Sequence, residues 1–513
     1  MISARRAAAY GLVSALAGMS TGHLVAALLA PESSPVLAVG AAVIDATPRA
    51  VKEWAVSTLG TADKPVLLAS VSLGTAALAA VAGLLARRRV ALGGALVALL
   101  GALALAAAIT RPASTPLFAI PSLLAAGFGL ATLRHLFRRE AGTATLESPL
   151  DHTAYAPGAP ATPRRRSILT GATGIGVGSA LVGALGQSII RSDPATNVTL
   201  PAPATPASAL PTGLEATVPG VSSLQTPVSE FYRIDTALTI PRVDPQTWAL
   251  TIDGMVDREV RLTFADILAM DLREIDVTIN CVSNEVGGSY IGAARWTGVL
   301  VKDLLARAGV RPEAEQAFTV SVDGMTISVP LEALMDDRGA LLAIGMNGAA
   351  LPAQHGFPAR LITPGMYGYV GATKWVERLH LTTYAKGTAY WSERGWSERA
   401  EVKTQTRIDT PRSGDPIDAG DVAIAGVAWS QAHGGITRVE VSIDGGEWLS
   451  AQLGAAVGPA YWRQWYVPWK ATTGKHEIRA RAYDAAGTVQ DAAVRPVAPD
   501  GATGYHVVEI TVQ

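Results

Sequence analysis

Cys281 is the only cysteine in this chain. It ends a stretch, residues 275–281, in which Ile275, Val277, Ile279 and Cys281 share one parity. That alternation predicts a half-buried strand whose inner row ends in a thiol. Ser283, Asn284 and the Gly287-Gly288 pair then break the pattern and predict a loop. A thiol at a strand end, facing a flexible loop, is where a soft metal ligand could sit. Alone, a cysteine on an apolar strand face is more often a small buried hydrophobe. A second stretch shifts that balance: His355-Gly356-Phe357-Pro358-Ala359-Arg360, followed by Gly365, Gly368, Gly371, Lys374 and Trp375.

Together these stretches resemble the sulfite oxidase superfamily of molybdopterin enzymes. That family carries a Cys-x-x-Asn loop, a Trp-x-Gly-Val segment, a His-Gly-x-Pro-x-Arg run and a Gly-rich turn leading to Lys-Trp. The chain shows Cys281-x-x-Asn284, Trp296-Thr297-Gly298-Val299, His355 to Arg360 and Lys374-Trp375 in the same order. The resemblance spans roughly residues 215–513 and is specific because several separate motifs keep their sequence order. It implies a molybdenum–molybdopterin cofactor with Cys281 as catalytic residue and sole protein ligand to the metal. Arg360 and Lys374 would meet the pterin's phosphate, the guanidinium binding two oxygens at once. His355 would hydrogen-bond the same cofactor, Asn284 matches the Asn of the cysteine loop, and glycines 365, 368 and 371 would let backbone N–H groups approach.

The departures concern the substrate. Phe231-Tyr232-Arg233-Ile234-Asp235 stands where relatives carry Phe-x-Arg-Asn-His, so only Arg233 carries over as a cofactor-binding residue. Basic residues that follow the loop Asn in sulfite oxidases are Glu285 and Val286 here, and the family's Tyr ahead of Met-Asn-Gly is missing from Ala343-Ile344-Gly345-Met346-Asn347-Gly348. A pocket that loses cations and gains a carboxylate binds sulfite poorly.

The elements that must position these residues begin with a hydrophobic third of the chain. Residues 7–30, 65–86, 90–110, 116–137 and 167–190 are each apolar enough to span a bilayer. Residues 35–60 are interrupted by Asp45, Pro48, Arg49, Lys52 and Glu53 and read as an interfacial or re-entrant segment. With five spans, Arg5-Arg6, Arg87 to Arg89, Arg134 with Arg138-Arg139, and Arg164 to Arg166 fall on one side, which makes the N-terminus cytoplasmic and everything after Ile190 extracytoplasmic. Arg164-Arg165-Arg166-Ser167-Ile168-Leu169 is either an ordinary basic flank or an internal twin-arginine signal, which would export a domain already folded around its cofactor. His23 and His135 fall at different depths, so no intrinsic haem is expected.

Residues 193–230, rich in Pro, Ala, Thr and Ser, read as a tether. Residues 231–400 mix short strands and helices without βαβ repetition, an α+β pattern. Here a strand is expected over 248–254, a helix over 263–270 capped by Thr263, a helix over 297–308 closed by Gly309, and a hairpin around Asp323-Gly324. From residue 401 strands recur at regular spacing, including a hairpin of 436–443 and 448–453 around Asp444-Gly445-Gly446, which suggests an immunoglobulin-like sandwich. It also matches the dimerisation domain of the superfamily, and Trp462, Trp465 and Trp469 suit either its core or an interface.

The chain is therefore expected to be multi-domain: a transmembrane helical region (1–192), an extracytoplasmic linker, an α+β molybdopterin domain and an all-β sandwich (401–513). The net charge of −1 argues against a nucleic-acid partner, and one cysteine excludes an internal disulfide. The leading reading is a multi-pass membrane-anchored oxidoreductase that transfers an oxygen atom to or from a sulfur- or nitrogen-containing small molecule. Electrons would pass to or from a separate cytochrome, quinone or redox protein, and the chain could form a homodimer. The alternatives are a cofactor-free membrane receptor with an immunoglobulin-like module and, more weakly, a cysteine hydrolase using His355 or His380.

Overall fold

A computed structural model of the chain describes residues 2–59, 62–144, 163–191 and 198–513. They form two compact units, one of Met1–Pro194 with Ala237–Pro241, the other of Ala195–Thr236 with Arg242–Gln513.

The first unit is helical: α1 (Ala4–Leu29), α2 (Pro35–Ala46), α3 (Arg49–Leu59), α4 (Asp63–Arg88), α5 (Val90–Ile109), α6 (Ala119–Ala144) and α7 (Pro163–Arg191). Among the described residues five helical segments are long and apolar enough to cross a membrane: Ala4–Leu29, Asp63–Arg88, Val90–Ile109, Pro116–Glu140 and Gly171–Ile190. The expected interfacial segment forms α2 and α3, 12 and 11 residues long and too short to span. Its Trp54 is exposed. Helix α1 packs closely on α4 and α6 because its side toward them is bare of side chains: a Cβ on Gly11 would strike the Ala79 carbonyl, and one on Gly18 the Ala125 carbonyl. His23 on α1 is engaged at both ring nitrogens, with Ser34 Oγ at 2.9 Å and Gln187 Oε1 at 3.2 Å. The side chains of Arg164 to Arg166, on which the twin-arginine reading rests, lie outside the described residues.

The second unit holds the predicted chemistry. Its strands, in chain order, begin with β1 (Ala249–Gly254), β2 (Val260–Thr263), β3 (Arg273–Asn280), β4 (Ile291–Leu300), β5 (Gln316–Ser321) and β6 (Thr326–Pro330). They continue with β7 (Leu341–Met346), β8 (Ala349–Ala350), β9 (Arg360–Ile362) and β10 (Val376–Thr382). One mixed sheet runs β2-β1-β10-β5-β6, the other β3-β4-β7-β8 with β9 paired to β7. Four short helices, α8 (Phe264–Leu268), α9 (Val301–Ala308), α10 (Leu331–Met335) and α11 (Gly368–Gly371), connect them. A single apolar core joins both sheets, with Leu250, Ile252, Trp296, Leu341 and Leu379 fully buried.

Local signals set several boundaries. Thr263 caps α8 in a reciprocal box with Asp266, and Gly309 closes α9 at φ 72°. The helix expected over 297–308 starts later. Residues 297–300 complete β4 instead, where Gly298 and Leu300 pair with Ala343 and Leu341 of β7. There the ladder outweighs an early helix start. Strand β3 is also less one-sided than its alternation suggested: Thr278 and Asn280 are buried along with Val277 and Ile279. The reason is that the C-terminal domain covers its other face: Trp462 N–H donates to Thr278 Oγ1 and Gln431 Nε2 to Thr278 O.

The stretch expected as a tether is not free from residue 198 onward, while 192–197 lie outside the described residues. Thr205 bridges Arg273 at the edge of β3, Thr226 N–H donates to Ala293 O, and Val221 and Leu224 are buried. An extended Pro-rich segment suits this because it can lie along strand edges without a ladder of its own.

The last nine strands are β11 (Gln405–Thr410), β12 (Pro416–Ile417), β13 (Gly420–Trp429), β14 (Ile436–Ile443), β15 (Leu449–Ser450), β16 (Gln452–Leu453), β17 (Arg463–Ala471), β18 (Gly474–Asp484) and β19 (His506–Val512). They form two sheets, β11-β13-β17-β16 and β12-β19-β18-β14-β15, around Val439, Trp465, Ile478 and Val508. The predicted hairpin partner over 448–453 is split: β15 pairs with β14, whereas β16 crosses to β17 in the other sheet. Of the three interleaved tryptophans, Trp462 and Trp465 are buried in cores and Trp469 is half-buried against the His476 ring. They do not form one exposed face.

Candidate cofactor site

Cys281 follows β3 directly and is buried. Its N–H donates to Tyr290 O, while Tyr290 N–H donates to Asn284 Oδ1 at 2.8 Å, so the Cys281 loop is closed at its base by Tyr290. Asn284 is thus a loop tie through its oxygen. Its Nδ2 is buried without a partner among the described residues, as is Asn280 Oδ1 beside the cysteine. Burial pushes the Cys281 thiol up, and the Ser283 hydroxyl, 2.9 Å from Sγ, and the Lys374 charge pull it part of the way back.

Lys374 follows α11, and Arg360 opens β9 opposite Ala343 of β7. Gly356, at φ 112°, lets Lys374 pass close: a Cβ there would meet Lys374 Cα and Cβ at 3.1 Å. Arg360 is buried, donates from Nη1 to His355 O and lies over the Trp296 ring, while its Nε has no partner among the described residues. Burial lowers it to about 10. Burial likewise lowers Lys374 to about 8, against the pull of Asp235, whose carboxylate lies 2.5 Å from Nζ. Arg233 pairs with the same carboxylate at 2.9 Å. Two cations therefore share Asp235, whose field also reaches Arg360.

His355 stacks edge-on against Phe231, and burial, followed by the Arg360 charge, holds it down at about 4. Its Nε2 lies 3.3 Å from Val228 O. A carbonyl only accepts, so the neutral ring carries its proton on Nε2 and turns an acceptor Nδ1 elsewhere. Of the three glycines expected to open backbone donors, Gly371 spends its N–H on Tyr367 O and instead allows Met366 and Thr363 to close in.

The structure therefore brings the predicted residues into one unit and adds two. Asp235 looked only like a mismatch to the family pattern, yet it is the counter-ion of the cluster. Tyr232 is partly buried against the core, and burial and the field of Cys281 push its phenol up against the opposing Arg360 charge. Only its place in an aromatic run could have signalled it. Among the described residues no group of three or more His, Cys, Asp or Glu side chains could hold a metal alone. What the site offers is one thiol, buried cations in excess of the pairing carboxylate, and unmet polar atoms at Asn280, Asn284 and Arg360. That donor set fits a phosphate-bearing organic cofactor that brings most of its metal's ligands with it.

Comparison with known proteins agrees. A model for the oxidoreductase molybdopterin binding domain matches residues 237–391, and one for the Mo-co oxidoreductase dimerisation domain matches 397–513. Mitochondrial sulfite oxidase of Macaca fascicularis is 32% identical over 308 residues, 51% of this chain and 56% of that protein. Nitrate reductase [NADH] 1 of Oryza sativa subsp. japonica is 27% identical over 49% of this chain and 34% of that protein. The chain thus spans about half, or less, of the length of these curated relatives. The sulfane dehydrogenase SoxCD structure from Paracoccus pantotrophus shares the fold, with TM-score 0.50 and 24% identity over 64% of this chain and 98% of that one. The domain over residues 237–391, the domain that follows it and the motif order within them make this chain a member of the sulfite oxidase superfamily of molybdopterin-dependent oxidoreductases.

Proposed function

We propose that the chain is a membrane-anchored oxidoreductase that moves an oxygen atom to or from a sulfur- or nitrogen-containing small molecule at a molybdenum centre ligated by Cys281. The observation that carries this reading is the excess of positive charge of buried Arg360 and nearly buried Lys374, with half-buried Arg233, over Asp235, in the field of which a lone buried thiol lies. Buried cations need an anionic partner.

Arg360 and Lys374 hold the cofactor's phosphate, the first through its guanidinium edge and the second as a point charge. His355 accepts a hydrogen bond at Nδ1, and Asn284 donates one from Nδ2. Cys281 supplies a thiolate whose charge the Ser283 hydroxyl and the Lys374 field stabilise. When bound, the cofactor supplies a metal that exchanges one oxygen atom and two electrons with the substrate. On oxidation water provides the oxygen and releases two protons; on reduction water carries it away. The electrons reach or leave a separate cytochrome, quinone or redox protein. Glu285, in place of a cation after Asn284, disfavours a doubly charged oxyanion and favours a neutral or singly charged substrate.

Five spans anchor the protein, with the basic clusters cytoplasmic and the cofactor unit on the far side. In the same reading the last domain is an immunoglobulin-like sandwich that supports a homodimer. Elemental analysis of the purified chain should find molybdenum together with a thiolate-to-metal absorption band. Cys281→Ser should abolish that band and lower the metal content. Pure folded protein without molybdenum, or a variant indistinguishable from wild type, would overturn the reading.

A further inference from the structure

Strand β3, which delivers Cys281, is the edge of its sheet, and a ligand delivered from an edge needs support from outside that sheet. The support comes from the C-terminal domain. Thr278 N–H donates to Ala460 O, Trp462 N–H donates to Thr278 Oγ1 at 2.9 Å, and Gln431 Nε2 donates to Thr278 O at 3.0 Å. All of the Thr278 hydrogen-bonding groups that face away from β4 are thus met from residues 431–462.

The loop after the cysteine is held at its other end by the same domain. Arg407, on β11, donates from Nη1 to Gly288 O at 2.9 Å and from Nη2 to Ser222 Oγ at 2.9 Å. Its Nε donates to Asp409 Oδ1 at 2.6 Å, and Asp409 Oδ2 accepts from Ser222 N–H. Arg407 and Asp409 are nearly buried, with side-chain exposures of 11% and 3%. The His506 ring, fixed by accepting at Nδ1 from Ile408 N–H, presses on Gly287, which stands at φ 79° and where any Cβ would collide with the ring. A cavity of about 470 Å³ lined by Ser222, Gly287, Ser289, Arg407 and His506 lies at this contact. With open space beside it, the loop tip depends on these few bonds more than on packing.

We propose that the C-terminal domain positions the metal ligand: Arg407 is a positioning residue that fixes the Cys281 loop through Gly288, while the contacts to Thr278 fix the strand before it. This rests on the reading of Cys281 as the ligand. Orientation of a coordinating side chain by groups beyond it tunes the metal. A charged hydrogen bond to a backbone carbonyl holds a loop more firmly than a neutral one.

The test uses the full-length holoprotein in detergent, as wild type, Arg407→Met, Arg407→Lys and Thr278→Val. Two readouts are taken: amide hydrogen exchange of residues 283–290 and the position of the thiolate-to-metal absorption band. Loss of a charged hydrogen bond of about 1.5–3 kcal/mol should speed loop exchange in Arg407→Met by roughly ten- to a hundredfold. Its band should shift while molybdenum content stays that of wild type. Arg407→Lys should restore both readouts in part, and Thr278→Val should move them in the same direction. Wild-type exchange and an unmoved band in folded Arg407→Met would overturn the proposal. Should that variant not fold, the same null result in Arg407→Lys and Thr278→Val would overturn it. If wild-type protein carries no molybdenum, the ligand reading fails, and exchange alone then decides whether Arg407 holds the loop.

Discussion

Removing Asp235 should destabilise the cofactor-free protein far more than the loaded one. The carboxylate side chain is 6% exposed and pairs with Lys374, itself 10% exposed, at 2.5 Å, and with Arg233, 32% exposed, at 2.9 Å. Asp235→Asn leaves Arg233 able to turn toward water, but Lys374 loses its counter-charge and keeps only neutral acceptors, the Asn amide oxygen and the Gln354 carbonyl at 3.4 Å. Breaking a buried pair from one side costs about 3–5 kcal/mol. A ceiling follows from the alternative open to Lys374, which is to lose its proton. Against an ordinary lysine near 10.4, that costs about 4.6 kcal/mol at pH 7. A loss of about 3–4 kcal/mol corresponds to a fall in Tm of roughly 6–16 °C for a domain of this size. All of the 11 tryptophans except Trp54 lie in the second unit, so tryptophan fluorescence of the full chain in detergent reports its melting. With Lys374 meeting the cofactor's phosphate as proposed, phosphate oxygens should take the place of the lost carboxylate and the shift should shrink to a few degrees. Burial holds Lys374 down to about 8, so its folded form binds fewer protons than its unfolded form between about 8 and 10.5. Stability should therefore rise with pH across that window, while the deficit of Asp235→Asn should narrow below it, as pH rises toward 8 and wild type loses the Lys374 proton that the variant has already given up. A cofactor-free variant melting within 2 °C of wild type, or an equal shift with and without cofactor, would show that Asp235 is not the counter-ion on which Lys374 depends.

Three further outcomes are expected. His355 and His506 are both held down at about 4 by burial, so the folded state keeps them neutral; stability is full above pH 6.5 and is lost as pH falls toward 4, and His506→Gln should remove part of that acid limb in a melting series. Gly287→Ala places a Cβ against the His506 ring at φ 79° and should cost about 1–3 kcal/mol, read as a lower Tm and faster exchange in the Cys281 loop. Gly11→Leu sets a side chain against the Ala79 carbonyl of α4 and should lower the yield of intact membrane-inserted chain, whereas the same change at Gly74, which faces open space, should be tolerated.

How much of this was legible in the sequence depended on distance along the chain. The Thr263 cap, the Gly309 closure and the Asp323-Gly324 hairpin are decided within a few residues, and the structure keeps them. The end of β4 was misplaced because Thr297 to Leu300 suit either a helix start or a strand, and only the partner β7 decides between them. Strand β16 leaves its hairpin for a similar reason: the choice of sheet is made by β17. Cys281, His355, Arg360 and Lys374 were singled out because each stands in a motif. Asp235 and Arg407 stand in none, and their roles appear only when distant segments meet, Asp235 with Lys374 and Arg407 with Gly288. The Pro-rich stretch after residue 198 looked like a spacer because composition records a lack of local structure and not the edges it lies along.

The dependence of Thr278 and Gly288 on residues 407, 431 and 462 also sets an order of events during synthesis. When a ribosome has made the chain only as far as Lys374, every side chain expected to touch the cofactor already exists, yet the strand bearing the thiol is unmet at Thr278 and its loop has no anchor at the tip. On the reading of Cys281 as the ligand, maturation of the metal centre should wait until translation has passed Trp462, and a truncated product should hold its pterin poorly even with all of its own contacts in place.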